Sequence, residues 1–377
     1  FVVISFYFVF KLSKEILNNN SLSLISVLII ETIYFYNFTT PEFNVNVCQL
    51  PFWSITAYYS WKVYSSKLIK FSDCVLLGLF AALGVLSKYL FLYLLISISF
   101  LFIYLIFYKR DKQFNFKYII TIEVFLVLLI PHIIWLNNNE FVTIFYGFAR
   151  TGIEQSGFID HIKFPLIFLG KQFALLMPFI ILLLLLVKKI KLKLNFKDKK
   201  FLFLIALNIL PIFLIFLTSV ITGSKIRTMW MTPFYLFFGV LFLYLYQKKI
   251  NKKKFKKFIS IFLIIFFISP STYLYISLDQ KNKRTDYPGK EIAESVQKKW
   301  SQNYKNEIVY VVGDEWKAGN LSYHLKSRPV WLNEFDKNLI NRNIGIIYIQ
   351  NPVILKKVCP GLFGTIQNQG ICMIGSK

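Results

Sequence analysis

Residues 78–95 read GLFAALGVLSKYLFLYLL, and the one charge in that stretch, Lys88, stands near its middle. A cation is costly at bilayer depth, so an apolar run broken this way reads as two membrane segments that meet at one face. Outward from it, apolar runs cover 1–10, 22–38, 47–61, 74–87, 89–108, 118–136, 164–187, 201–221, 229–246 and 258–276. Several are nearer 15 residues than the ~20 that cross a bilayer, so some spans are expected to tilt or stop short. The chain is 56% apolar and 19% aromatic, against about 45–50% apolar in soluble domains, and the excess is placed against lipid. The expected fold is a polytopic α-helical membrane bundle of about ten spans over 1–276, followed by a small soluble C-terminal α/β domain over 277–377.

The net charge of +25 sits mostly in short Lys-rich tracts between apolar runs. Lys11 and Lys14, then Lys62, Lys67 and Lys70, then Lys109, Arg110, Lys112 and Lys117 occupy alternate loops, followed by seven Lys in 188–200 and seven in 248–257. Basic loops stay in the cytoplasm, so these tracts are expected inside, and they argue for membrane lipids rather than nucleic acid as partner. The other loops, 39–46, the break at Ser87–Lys88, 137–163, 222–228 and everything after 276, are then outside. The expected location is the cell inner (cytoplasmic) membrane, multi-pass, with the C-terminal domain extracytoplasmic, in the periplasm. Residue 1 is Phe within an apolar run, so the chain is expected to begin inside a larger protein.

The tail changes character. GKEIAESVQKKWSQNY (289–304) reads as an amphipathic helix, EIVYVVG (307–313) as a buried strand and DEWKAGNLSYHLK (314–326) as a second helix; PVWLN (329–333) and GIIYIQ (345–350) read as strands. Alternation of this kind predicts a small α/β sandwich. Cys359 and Cys372 are either a disulfide, if the compartment is oxidising, or two free thiols.

Lys88, Arg150, Lys163, Lys225 and Arg227 hug the outer boundary, and Lys171 lies about two turns into the following helix. A phosphate at the outer leaflet would use both their charge and their donors; snorkelling to headgroups is the bland alternative. The 137–163 loop adds Glu140, Glu154, Asp160 and His161. A carboxylate with a His there can act as acid or base or hold a divalent metal, and a solvated loop with a capping Asp160 is the competing reading. No cofactor is required by any spacing. Glu31 is expected mid-span and paired within the bundle, and Glu123 near the cytoplasmic end.

GLFAALGVLSKYLFLYLL resembles the G-L-x-A-G-L-x-x-L-T-K segment of the dolichyl-phosphate-mannose-protein mannosyltransferase-like glycosyltransferases, a C-type superfamily group that includes the lipid A aminoarabinose transferases. KIRTMWMTPFYLFFGVLFLY (225–244) is similar to its later K-x-x-x-Y-x-x-P-x-x-P segment, with Trp230 at the Tyr position, and FTTPEFNVNVCQLPFW (38–53) resembles the segment entering the third span. RTDYPGKEIAESVQKKW with VVGDEWKAGNLSYHL resembles the outer domain of some bacterial members. The resemblance implies an inverting transferase that takes a sugar from a polyprenyl-phosphate donor to a lipid, glycan or protein acceptor on the outer face. It implies that Lys88, Lys225, Trp230 and His161 hold the leaving phosphate, with Arg227 and Arg150 beside them. Two departures stand out. The family's catalytic Asp belongs to a first outer loop expected upstream of residue 1, and its second acidic position is Asn44 or Asn46 here. Either the base lies upstream or the chain is inactive. A transporter or lipid flippase with an outer sensor domain is the alternative, against which the lack of an internal repeat counts.

Overall fold

Each apolar run nucleates a helix, and the Lys tracts and Asn-rich turns separate them. In order these are α1 (Val2–Leu17), α2 (Asn20–Glu31), α3 (Val45–Ser65), α4 (Phe71–Ser87), α5 (Leu92–Ile103), α6 (Lys117–Asn138), α7 (Val142–Thr151), α8 (Asp160–Leu186), α9 (Lys199–Thr222), α10 (Phe238–Tyr246) and α11 (Phe255–Asp279). The computed structural model describes residues 1–110, 113–153, 156–187, 194–280, 283, 286–333 and 343–377. The chain divides into two units, Phe1–Ser277 and Leu278–Lys377.

Among the described residues, five helices are long and apolar enough to cross a membrane: Tyr89–Tyr108, Lys117–Asn138, Asp160–Leu186, Lys199–Thr222 and Phe255–Asp279. A sixth arises if the pair Thr228–Tyr235 and Phe238–Lys249, bent by 49°, is one span. The expected count of about ten is therefore not reached. At 1.5 Å per residue, α1, α2 and α4 fall short of a ~30 Å hydrocarbon core. Helix α3 is 21 residues long, but it spends buried positions on Asn46, Gln49, Ser54, Thr56 and Ser60. One continuous apolar cluster, with Val9, Leu12, Ile29, Trp53, Phe91, Phe203 and Phe234 among its members, ties these helices together. By contrast α6 and α11 turn Ile122, Val127, Ile133, Ile264 and Phe267 outward, as helices facing lipid do.

The second unit contains α12 (Gly289–Asn303), β1 (Ile308–Gly313), α13 (Lys317–His324), β2 (Val330–Leu332), β3 (Gly345–Gln350), α14 (Pro352–Val358), β4 (Leu362–Ile366) and β5 (Gln369–Ile374). The sheet order is β2-β1-β3-β5-β4. Strands β2, β1 and β3 run parallel, with Tyr310 opposite Val330 and Val311 opposite Ile347, while β5 is antiparallel to β3 and β4. Side-chain alternation fills both faces. Val311, Ile347, Ile371 and Met373 pack with α12 and α13 through Ile292, Val296, Trp300 and Leu321, and Val312, Ile346, Cys372 and Ile374 pack with Leu355 of α14. The β4–β5 hairpin and α14 extend the expected sandwich. Its turn, Gln367–Asn368, has φ of 45° and 62°, the type I′ geometry of a two-residue hairpin. Cys359 and Cys372 form a disulfide with Cα atoms 5.7 Å apart, which resolves the two readings of that pair.

Candidate functional site

Lys88 ends α4 in an extended conformation, φ −167° and ψ 132°, and the chain resumes as a 3-10 turn over Tyr89–Phe91. The bend is held by a close approach: a Cβ at Gly84 would stand 2.4 Å from the Phe91 ring, which is itself fully buried. Tyr89 anchors the other side, its hydroxyl bonding His132 Nε2 of α6 at 2.8 Å and Thr143 Oγ1 of α7 at 2.7 Å. His132 and Thr143 were not among the sequence-derived candidates, because only the packing brings them to the break.

The Lys88 ammonium donates to Asn46 Oδ1 and lies 5.1 Å from the Trp230 ring centre. The orientation of the Asn46 amide follows from the helix start. Asn44 caps α3, and its Oδ1 accepts from both Asn46 N and Asn46 Nδ2 at 2.9 Å, which turns Asn46 Oδ1 toward the lysine. Trp230 belongs to the 3-10 helix Thr228–Tyr235. That helix is fixed by the Tyr36 hydroxyl donating to Thr232 O and by Tyr235 donating to buried Gln172 at 2.7 Å. Burial lowers the Lys88 ammonium to about 7, and the nearby Arg227 charge pushes it the same way. Lys88, Asn46 and Trp230 thus meet at one point, with the Arg227 charge near enough to act on Lys88, and among the described residues neither cation has a carboxylate partner.

A second cluster sits where α7 and α8 meet the end of α9. His161 Nδ1 donates to Val220 O at 2.8 Å, Ser156 Oγ donates to Thr222 O at 3.2 Å, and Lys225 N donates to Thr151 O at 3.0 Å. Gly223, at φ 64°, is required here: a Cβ would lie 2.9 Å from Ser156 and 3.1 Å from His161. The Lys225 side chain is exposed, as are Lys163 and Lys171, and Arg150 is stacked on Tyr146 at 5.6 Å. The structure therefore joins Lys88 with Asn46 and Trp230, with the Arg227 charge felt at Lys88, whereas His161 and the Lys225 backbone bond to α7 and the end of α9. Asp160 Oδ2 accepts from Gly157 N at 2.9 Å, a local turn contact, and Asp160 is the first residue of α8 rather than its N-cap, which is Ile159. Glu154 lies outside the described residues. Among the described residues no three His, Cys, Asp or Glu gather as metal ligands.

Glu31 is the last residue of α2 rather than a mid-span group, and it accepts from Asn37 Nδ2 at 2.6 Å. Its second oxygen is buried without a partner. Gln49, one turn beyond Asn46, is fully buried with both amide atoms unpaired. No sequence signal distinguishes it from a packing residue. A separate cleft, lined by Asn195, Asp198, Tyr244, Gln247 and Lys248 among others, lies among the basic loops, and there Tyr244 donates to Asp198.

Residues 1–135 match the family model described as dolichyl-phosphate-mannose-protein mannosyltransferase, in agreement with the resemblance carried by the motifs. No curated protein matches the chain. The matched segment contains Asn46, Gln49 and Lys88, whereas Arg227 and Trp230 lie beyond it. With the apolar helices, the match supports a membrane protein of glycosyltransferase, mannosyltransferase-like kind.

Proposed function

We propose that the chain is an inverting membrane glycosyltransferase that moves a sugar from a polyprenyl-phosphate donor to a lipid, glycan or protein acceptor at the outer face. The observation that carries this reading is the Lys88 ammonium at the break, held by the Asn46 amide rather than by a carboxylate and lying against the Trp230 ring. A cation kept in a partly buried place without a carboxylate partner, with the Arg227 charge near enough to act on it, is stabilised by an anion. The cation-bearing break next to an aromatic face suits a phosphate on an isoprenoid tail.

In the transfer, an acceptor hydroxyl oxygen forms a bond to the anomeric carbon as the bond from that carbon to the phosphate oxygen breaks. The bonding pair leaves with the polyprenyl phosphate, and the acceptor proton passes to a carboxylate. Lys88 and Arg227 stabilise the negative charge that grows on the departing phosphate. Asn46 orients Lys88, and Asn44 or Asn46 stands where the family resemblance expects a carboxylate. An amide there holds the ammonium without a carboxylate's neutralising charge, which leaves the cation to the donor's anion. The resemblance assigns the base to an acidic motif of another outer loop. The basic tracts and the Cys359–Cys372 disulfide both support an outer location for the tail.

The test is donor turnover by the protein in nanodiscs, with folding matched by thermal melting. Lys88→Ala and Arg227→Ala should each lose about one to two orders of magnitude, since a charge-assisted hydrogen bond is worth about 1.5–3 kcal/mol. Near-normal turnover in both variants would show that these cations only reach for headgroups.

A further inference from the structure

We propose that Gln49 binds a pair of neighbouring hydroxyls on the donor's sugar and so selects which sugar is transferred. This rests on the reading of a polyprenyl-phosphate sugar at Lys88 and Arg227.

Gln49 is fully buried, and neither its Oε1 nor its Nε2 has a partner. Its position follows from its neighbours on the helix. Asn46, Gln49 and Trp53 are spaced i, i+3 and i+7, which puts them on one face of α3. On one side of Gln49, Asn46 holds Lys88, and Lys88 lies against Trp230. On the other side, Trp53 packs on Phe91 at 5.5 Å and on Phe234 at 4.9 Å. Both pairs of contacts involve the same two segments, the 88–91 break and the 228–235 helix. Gln49 is therefore bracketed between the phosphate-binding cations and the apolar floor beneath them.

An amide left unpaired inside a bundle is destabilising by about 1–3 kcal/mol for each group, because no bulk water reaches it. A bound partner relieves that cost, and the chemistry of the amide says which kind. A phosphate oxygen only accepts, so it would satisfy Nε2 and leave Oε1 unpaired. Two adjacent sugar hydroxyls can accept from Nε2 and donate to Oε1 together. A site that presents both atoms to a hydroxyl pair rejects a sugar lacking one of them. Thr56 and Ser60 are also buried with unpaired hydroxyls further along α3, past Trp53, and Thr56 serves as an internal control.

The experiment measures binding to the protein in nanodiscs of two probes. One is polyprenyl phosphate without sugar; the other is the best bound of the polyprenyl-phosphate mannose, glucose and galactose. Gln49→Leu and Gln49→Met should weaken the sugar-bearing probe about tenfold or more. They should leave polyprenyl phosphate within about twofold and keep or raise the melting temperature, because an apolar side chain replaces an unpaired amide. Thr56→Val should change neither probe. Lys88→Ala should weaken both. Unchanged binding of the sugar-bearing probe in the Gln49 variants, or equal loss of both probes with a lowered melting temperature, would overturn the assignment and leave Gln49 a water-bound or packing residue. If Lys88→Ala leaves both probes bound while the Gln49 variants behave as expected, the phosphate reading fails and the sugar contact stands. If the unmodified protein binds none of the three sugar forms, both fall.

Discussion

The two units bury polar groups in opposite ways. In Leu278–Lys377 the interior is aliphatic and aromatic, and among the described residues only Gln369 holds a buried side-chain atom without a partner. In Phe1–Ser277, Gln49, Thr56, Ser60, Gln172 and Asn208 all hold such atoms inside helices. A small water-exposed domain gains most of its stability from closing its core, and its leftover polar atoms can turn to solvent. A lipid-embedded bundle has no such outlet, so what it leaves unpaired is served by water or by something that binds. The tail therefore reads as a unit closed around its core, while the bundle keeps buried polar atoms that the proposed donor would satisfy.

That contrast can be broken in several ways. The largest effect is expected in the tail. Residues 278–377 expressed alone should fold with mixed α/β circular dichroism, and Trp300→Ala should cost about 3–5 kcal/mol in denaturant unfolding. Trp300 is 2% exposed, and its Nε1 donates to Asn306 O at 2.7 Å. Donor binding by the intact protein should survive that substitution; its loss would mean the tail takes part in the site. Reduction of Cys359–Cys372, a link across 13 residues of sequence, should cost the isolated tail about 3 kcal/mol. A tail whose unfolding midpoint ignores reductant would show that the hairpin is held by its ladder alone.

In the bundle the sharpest expectation is a pH effect. The folded Lys88 titrates near 7, well below the ordinary 10.5. Its charge is complete well below pH 7 and fades above it, so donor affinity should drop roughly fivefold from pH 7 to pH 8. In Lys88→Arg, which stays charged, the profile should flatten. Stability should follow the opposite sign. Between about pH 7 and the ordinary lysine range the folded state holds fewer protons than the unfolded one, so the protein should gain stability as pH rises through that window. A flat affinity profile in the unmodified protein would place the phosphate away from Lys88. The smallest effect is expected at Lys163→Ala, whose side chain is exposed; it should change turnover by a few-fold at most.

How much of this was readable beforehand depended on whether the signal was local. Apolar runs and Lys tracts are local, and each run did become a helix. The number of spans was not readable, because α3 carries its polar residues on buried positions and α1, α2 and α4 are short. Helix α7 was hidden inside a loop reading of 137–163, where a central glycine and polar ends mask ten helical residues. The β4–β5 hairpin escaped because its turn is Gln-Asn rather than Asn-Gly, with the glycine delayed to Gly370. At the site, Lys88 announced itself as a charge in an apolar run, and Trp230 entered through a motif. Their meeting depended on how α4, α3 and the 228–235 helix pack. Gln49 had no local mark at all.

The close approach of Gly84 to Phe91 has a consequence for how the site can change over evolutionary time. The Phe91 ring occupies the volume that a methyl group at 84 would need, and Trp53 packs edge-on against that ring. A single methyl would lever the break apart and displace the Lys88 ammonium while every charge in the protein stayed the same. The aim of the cation is thus stored as an absence of side chain one turn upstream, and drift at that position would move Lys88 as surely as a change of the lysine itself.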